Sequence, residues 1–291
     1  MTCFRPLTAY QNEDGAVVFH ERGKIRRELS LPCGRCIGCR VTRSRMWAVR
    51  CVHESKCHDV NSFVTLTYDD DHYSPSLCYR DFQLFIKRLR AQSASRVRFF
   101  CAGEYGEQTQ RPHFHALLFG KTFAAREKIG KTIWRSPELE KLWPMGFSSF
   151  GDVTFQSAAY VAKYSVKKIN GDQAEEYYKR VDLQTGEIVS VVPEFGRMSL
   201  KPGIGKPWFD KYWKDVYAAR DRVILDGKEH TTPRYYDELL SRIEPYLSDE
   251  KEYERYVASG KFLDDCTPER LDVRERVALA KYEFETIRKL K

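Results

Sequence analysis

Two apolar runs joined by five polar residues decide what the middle of this chain becomes. "RVRFFCAGEYG" (96–106) and "PHFHALLFG" (112–120) flank "EQTQR". Both runs are rich in aromatic and aliphatic residues, and the link is polar, which is the pattern of two antiparallel strands in a hairpin. Side chains alternate faces along a strand, so His113 and His115 share one face of the second strand, inside a run that otherwise reads as buried.

The segments around the hairpin supply what must pack on it. "NSFVTLTYDD" (61–70) is a β-branched and aromatic stretch that closes in acidic turn formers, and reads as a strand. "YRDFQLFIKRLRAQ" (79–92) spaces Phe82, Phe85, Ile86 and Leu89 as one face of a helix. A further strand is expected over 146–155 and a helix over 156–169, with Ala-rich turns and a Lys-rich end. Beyond these, "EEYYKRVDLQTGEIVSVVPEF" reads as a helix tail and a hairpin, and "RMSLKPGIGKPWFDKYWKDVYAA" as a Gly/Pro loop entering a helix. The last third is expected to be mainly helical, with Thr267 and Pro268 at cap and first-turn positions. The fold class is α+β, a central antiparallel sheet with flanking helices. The expected divisions are a basic Cys-rich segment at 1–60, a central domain at 61–220 and a helical region at 221–291.

Charge is concentrated in one place. The 291-residue chain carries +8, yet Lys24–Arg50 alone holds eight bases and one acid, whereas 221–291 holds fourteen bases and seventeen acids. A local basic patch of this kind calls for a polyanion, with nucleic acid first; Arg35, Arg40, Arg43 and Arg45 are the candidate contacts. No stretch approaches the roughly 20 apolar residues of a membrane span, and the start lacks the charged and apolar regions of a signal peptide, so a cytoplasmic protein without membrane partners is expected.

Two neutral imidazoles on one strand face are a common way to present nitrogen ligands to a metal. The neighbouring segment offers Glu104 and Glu107, and Glu104 is preferred because sheet pairing fixes it, whereas Glu107 lies in the turn. Two imidazoles and a carboxylate suit a divalent cation that must still accept a substrate oxygen. The expected helix at 156–169 offers nucleophiles: Tyr160 and Tyr164 lie four apart on one face, each followed three residues on by a lysine, Lys163 and Lys167. A phenol ordinarily has a pKa near about 10, and adjacent cations favour its phenolate while offsetting charge on a phosphoryl group under attack.

"FVTLTY" (63–68), "HFHALLFG" (113–120) and "YVAKYSVKK" (160–168) resemble, in that order, the three motifs of HUH-type rolling-circle replication initiators. The paired tyrosines with "PCGRCIGCR" (32–40), "GEYGE" (103–107) and "KPGIGKPWF" (201–209) resemble the initiators of gokushovirus-like microviruses, small single-stranded DNA phages. The resemblance implies a ferredoxin-like or RNA-recognition-like palm and a nickase-ligase acting on single-stranded origin DNA. It implies His113, His115 and Glu104 as ligands of Mg²⁺ or Mn²⁺, and Tyr160 and Tyr164 as nucleophiles that form a 5′-phosphotyrosine. It also implies action in the host bacterial cytoplasm with a host helicase and DNA polymerase, since no P-loop pattern occurs in the chain.

Cys33, Cys36 and Cys39 follow a C-x2-C-x2-C spacing that suits a structural zinc site, with Cys51, His53, Cys57 or His58 as candidates for the fourth ligand. Lys201 and Lys206 stand beside Trp208, Phe209, Tyr212 and Trp213, a set that suits base stacking and phosphate pairing or, equally, a helix packed on the core. Asp69, Asp70 and Asp71 read as a solvated turn. Two other classes compete with the nickase. A histidine-triad phosphohydrolase needs a further histidine where Leu117 stands. A non-catalytic zinc-stabilised DNA-binding protein would bind DNA and form no covalent adduct.

Overall fold

The computed structural model describes residues 3–106, 109–124, 127–164, 173–182, 185–219 and 221–289. In chain order its elements are β1 (Leu7–Asn12), β2 (Val17–Val18), β3 (Ile25–Leu31), α1 (Ile37–Ser55), β4 (Asn61–Tyr68), α2 (Tyr79–Ala91), β5 (Arg98–Tyr105) and β6 (Pro112–Phe119). There follow β7 (Glu127–Lys128), β8 (Trp134–Arg135), α3 (Pro137–Leu142), β9 (Gly146–Gly151), α4 (Phe155–Tyr164) and α5 (Gln173–Tyr177). The remainder comprises β10 (Lys179–Val181), β11 (Ile188–Ser190), β12 (Phe195–Met198), α6 (Lys206–Ala219), β13 (Arg222–Leu225), β14 (Lys228–Thr231), α7 (Arg234–Ile243), α8 (Pro245–Gly260) and α9 (Pro268–Lys289).

Two compact units divide the chain: Ser44–Leu240, and Met1–Arg43 together with Ser241–Lys291. These limits differ from divisions at 60 and 220, and packing explains the difference. From Ser44 onward α1 belongs with the sheet, because Ala48 and Cys51 pack among Phe100, Ala102 and Phe119. The β13–β14 hairpin and most of α7 also belong there, with Tyr236 of α7 fully buried against Trp208 and Phe209. The region beyond 220 therefore opens on a hairpin before its helices.

The larger unit is built on a seven-stranded sheet in the order β12-β5-β6-β4-β9-β8-β7, every neighbouring pair antiparallel. Its four central strands, β5-β6-β4-β9, place the first to appear, β4, between the third and the fourth. Strand β4 alternates strictly between buried and half-buried residues. Val64, Leu66 and Tyr68 enter a core with Phe114, Ala116 and Leu118 of β6 and with Phe82, Phe85, Ile86 and Leu89 of α2. Fully burying each such side chain is worth roughly 1.5–3 kcal/mol. The opposite face gathers Phe100, Ala102, Leu117 and Phe119 beneath Ala158, Val161 and Ala162 of α4. Covered on both faces, β5 is buried at every residue, which is why its sequence shows no polar alternation.

Gly146 sets the end of β9. Its φ is +140°, and a Cβ there would lie 2.3 Å from the backbone nitrogen of Asp69, so only glycine lets the strand approach β4 this closely.

In the smaller unit, β2-β1-β3 form a three-stranded sheet. Its strands bury little: Ala9 is fully buried, whereas Leu7, Val17 and Ile25 are exposed. No helix among the described residues is long and apolar enough to cross a membrane.

Candidate active site

The β5–β6 pairing places Glu104 directly opposite His113, and the β4–β6 pairing places Thr65 opposite His115 and Thr67 opposite His113. Residues opposed in this way share a face, so one row of polar side chains crosses three strands. Glu104 Oε1 lies 2.7 Å from Nε2 of His113 and 2.8 Å from Nε2 of His115. Burial alone would push the Glu104 carboxyl up, but its bonds to His113 and His115 outweigh that and hold it below the usual carboxylate range.

The other ring nitrogens fix what this convergence means. Nδ1 of His113 lies 3.0 Å from the carbonyl of Arg111, which can only accept, so Nδ1 carries a proton and Nε2 is the nitrogen that faces Glu104. Nδ1 of His115 lies 2.9 Å from Thr65 Oγ1, a hydroxyl that can donate or accept, so this contact orients the ring. Two imidazoles and a carboxylate thus bring three ligand atoms within 4.8 Å of one another. The residues present fit a divalent cation, with an oxygen and two nitrogens as first ligands and a carbonyl and a hydroxyl behind them.

Helix α4 turns Ala158, Val161 and Ala162 inward, which leaves Tyr160 on the flank toward the histidines. Its Oη stands 3.4 Å from Nε2 of His115, its ring meets that imidazole edge-on at 4.9 Å, and Phe63 packs against it at 6.1 Å. Tyr160 is 40% exposed, so its hydroxyl meets both the cluster and solvent. Lys163 lies half-buried in the last turn of α4. Tyr164 ends the helix as described; its side chain, together with Lys167 and Glu107, lies outside the described residues.

Beside Thr65 and Thr67 the sheet opens into a cleft of about 490 Å³ lined also by Ile129, Arg135, Trp143, Phe147 and Ser149. Phe147 pairs with Thr67 across β4–β9, so it continues the row that contains Glu104 and His113, and it is 69% exposed. Sequence reasoning missed Thr65 and Phe147. Their signal was their register on strands whose pairing a single sequence leaves open.

The remaining candidates scatter. Cys33, Cys36 and Cys39 are joined by Cys3, not by Cys51, which is fully buried in the core of the larger unit. His53 stacks on Trp208 at 3.4 Å, His58 bonds Glu54 at 3.2 Å, and Cys57 donates to the His53 carbonyl. Arg35, Arg43 and Arg45 are exposed and Arg40 half-buried. Lys206 pairs with Asp210 at 2.6 Å, and the Lys201 carbonyl accepts from Arg96. Phe209 is core and Trp208 packs on His53, so this aromatic set serves packing first. Asp69 accepts from the His72 backbone and ring, and Asp70 pairs with Arg111.

The loop 199–205 is held from beneath by groups that the sequence did not single out. Glu54, fully buried, pairs with Arg98 at 2.6 Å and accepts the Gly205 N–H at 2.7 Å. Arg98 in turn donates to the Pro202 carbonyl, and Arg50 to that of Ile204.

Comparison with known proteins shows the family. The family model for the replication-associated protein ORF2 matches residues 61–169, which contain Glu104, His113, His115 and Tyr160. The chain is 36% identical to Replication-associated protein VP4 of Bdellovibrio phage phiMH2K, over 84% of this chain and 79% of that protein. It is 31% identical to Replication-associated protein ORF2 of Spiroplasma virus 4, over 83% and 81%. It is 27% identical to Replication-associated protein ORF4 of Chlamydia phage 1, over 77% and 56%. No solved structure matches. At such identity and coverage, the chain belongs to the replication-associated proteins of microvirus-type phages.

Proposed function

We propose that this protein is an HUH-type initiator that nicks single-stranded DNA at a phage replication origin and later rejoins it. The observation that carries the reading is the 3.4 Å approach of Tyr160 Oη to His115 Nε2, at the point where Glu104 and His113 also converge. A nucleophile that reaches solvent, beside a cation-ligand set, is what attack on a phosphodiester requires.

Glu104, His113 and His115 would hold Mg²⁺ or Mn²⁺. A cation bound there supplies Lewis acidity toward the scissile phosphate and lowers the charge that an incoming phenolate meets. The chain's own groups do the rest. The Arg111 carbonyl holds a proton on Nδ1 of His113, and Thr65 orients the His115 ring, so both Nε2 atoms face Glu104. Phe63 and His115 fix the Tyr160 ring from two sides. In the cut, Tyr160 gives up its phenolic proton to solvent, the Oη–P bond forms, the P–O3′ bond breaks, and the departing 3′ oxygen takes a proton from water to become a 3′-hydroxyl. A 5′-phosphotyrosine remains, and attack by a 3′-hydroxyl on it reverses the step and seals a strand. Tyr164, one helical turn on, is the second nucleophile for cutting the regenerated origin, and Lys163 and Lys167 favour the phenolates.

Phe147 and the cleft beside it give the strand a path. An exposed aromatic in the same row as His113 offers a stacking surface to a base flanking the scissile phosphate. Arg35, Arg40, Arg43, Arg45, Lys201 and Lys206 contribute backbone contacts. The protein works in the host bacterial cytoplasm alongside a host helicase and polymerase.

The test uses single-stranded origin fragments labelled on the 3′ side of the nick, with and without Mn²⁺, on a denaturing gel. A cation-dependent, protein-linked label that is lost in Tyr160→Phe supports the reading. Tight binding with no adduct on any origin fragment would instead favour a DNA-binding protein without nuclease chemistry.

A further inference from the structure

Among the described residues, the three-stranded sheet β1–β3 buries little hydrocarbon of its own. Leu7, Val17, Phe19 and Ile25 are exposed, and the buried cluster at its open end consists of Cys3, Cys36 and Cys39, with Phe4 and Cys33 packed against them. An element this poor in buried hydrocarbon needs another source of cohesion.

The thiols are arranged to supply it. All four sulfurs lie within 4.8 Å of one another, and the Cys3 and Cys36 sulfurs are 3.9 Å apart. That separation is far beyond a disulfide bond of about 2.05 Å. It matches a tetrahedron of sulfurs around a single ion, for bonds of about 2.3 Å put sulfurs about 3.8 Å apart. The backbone is shaped for thiolates. Gly34, at φ +74°, turns the chain so that the N–H groups of Arg35 and Cys36 both point at Cys33 Sγ, at 3.4 and 3.3 Å. The N–H of Cys33 points at Cys3 Sγ at 3.3 Å, and those of Phe4 and Cys39 at Cys36 Sγ at 3.4 and 3.5 Å. Five N–H donors aimed at sulfur offset the negative charge that four thiolates bring to a dication.

We infer that Cys3, Cys33, Cys36 and Cys39 bind a structural Zn²⁺ that ties the start of the chain to the first turn of α1 and closes the β1–β3 sheet. Four thiolates leave no open position, so the ion is structural. Binding releases the thiol protons to solvent and involves no change of oxidation state. The inference stands on the thiol cluster alone and is independent of the nickase reading.

The full-length protein, purified without chelators, is analysed for metal by mass spectrometry, then stripped and reloaded with Co²⁺. The expected result is a single zinc per chain that is lost in Cys3→Ser and retained in both Cys51→Ala and Cys57→Ser. Co²⁺ should give thiolate charge-transfer bands in the near ultraviolet and the strong visible bands of a tetrahedral site. Those sulfur bands distinguish this ion from any held by Glu104, His113 and His115, which offer no sulfur. A folded wild-type chain with no sulfur-bound cobalt would overturn the inference, as would a Cys3–Cys36 or Cys33–Cys39 disulfide in the freshly isolated protein. Full zinc occupancy in Cys3→Ser would also overturn it. Should Cys3→Ser fail to fold, displacement of zinc from the wild type by a mercurial, counted against thiols modified, decides the ligand number.

Discussion

Thr65 Oγ1 on β4 lies 2.9 Å from Nδ1 of His115 on β6, and the two residues are direct partners in the sheet register. The hydroxyl therefore sits behind the imidazole and orients the ring. Loss of such an outer partner typically costs roughly 10- to 100-fold in metal affinity or activity. Thr65→Val, which keeps shape and removes the hydroxyl, should weaken Mn²⁺ binding by about that factor, measured by calorimetry. Thr65→Ser should restore it. Equal affinity in all three proteins would mean that the contact does not orient His115.

Phe147 makes a prediction about affinity alone. Base–aromatic stacking is worth about 1–3 kcal/mol per base. Phe147→Ala should weaken binding of a single-stranded origin oligonucleotide roughly 5- to 150-fold in a fluorescence anisotropy titration, while cutting at saturating DNA stays near wild type. A fall in saturated cutting with binding unchanged would place Phe147 in the chemistry instead.

Glu54 and Arg98 are both nearly inaccessible and 2.6 Å apart. A buried pair is weak evidence of net stabilisation, yet removing one partner strands the other charge and costs about 3–5 kcal/mol. Glu54→Ala should lower stability by that amount in urea unfolding and loosen the loop 199–205, read as faster amide exchange there. Glu54→Gln should lose less, because its amide oxygen can still accept from Gly205.

Acid should destabilise the larger unit through His53. Burial lowers its pKa to about 3, against about 6.5 in an unfolded chain. The folded protein keeps the ring neutral while the unfolded chain takes up a proton below about pH 6.5, so stability falls as pH drops from about 6.5 toward 3. At pH 5 the loss is about 2 kcal/mol relative to pH 8. Glu54 and Glu104, both lowered, add losses in the same direction, but only below the unfolded carboxylate range near 4.5. His230 shifts the same way as His53. His53→Gln, which cannot titrate, should therefore flatten most of the slope of urea midpoint against pH between about 6.5 and 5. An unchanged slope would assign the acid sensitivity elsewhere.

Much of the catalytic sheet was legible because its signals are local. The polar link between 96–106 and 112–120 gave the β5–β6 hairpin, and the spacing of Phe82, Phe85, Ile86 and Leu89 gave α2. Glu104, His113 and His115 followed from strand alternation once the hairpin was drawn. Cys3 was not found, because thirty residues and a whole sheet separate it from Cys33, and spacing rules see only neighbours in sequence. Strands β1–β3 and β12 were missed for a related reason. Exposed strands such as β3 bury little, and its three consecutive charges, Arg26, Arg27 and Glu28, break any apolar alternation. The expected strand at 146–155 stops at Gly151, because Thr154 and Ser157 exchange hydrogen bonds that start α4.

Glu104 and His115 are eleven residues apart in the chain, whereas Tyr160 lies forty-five residues beyond His115. Closing the longer loop costs about 1 kcal/mol more in chain entropy, and it also needs α4 seated on the sheet. During synthesis the cation ligands can thus come together on a bare hairpin before the ribosome has released the tyrosine. On the proposed reading, a chain that ends short of α4 brings Glu104, His113 and His115 together and lacks Tyr160, so it has the ligand set without the nucleophile.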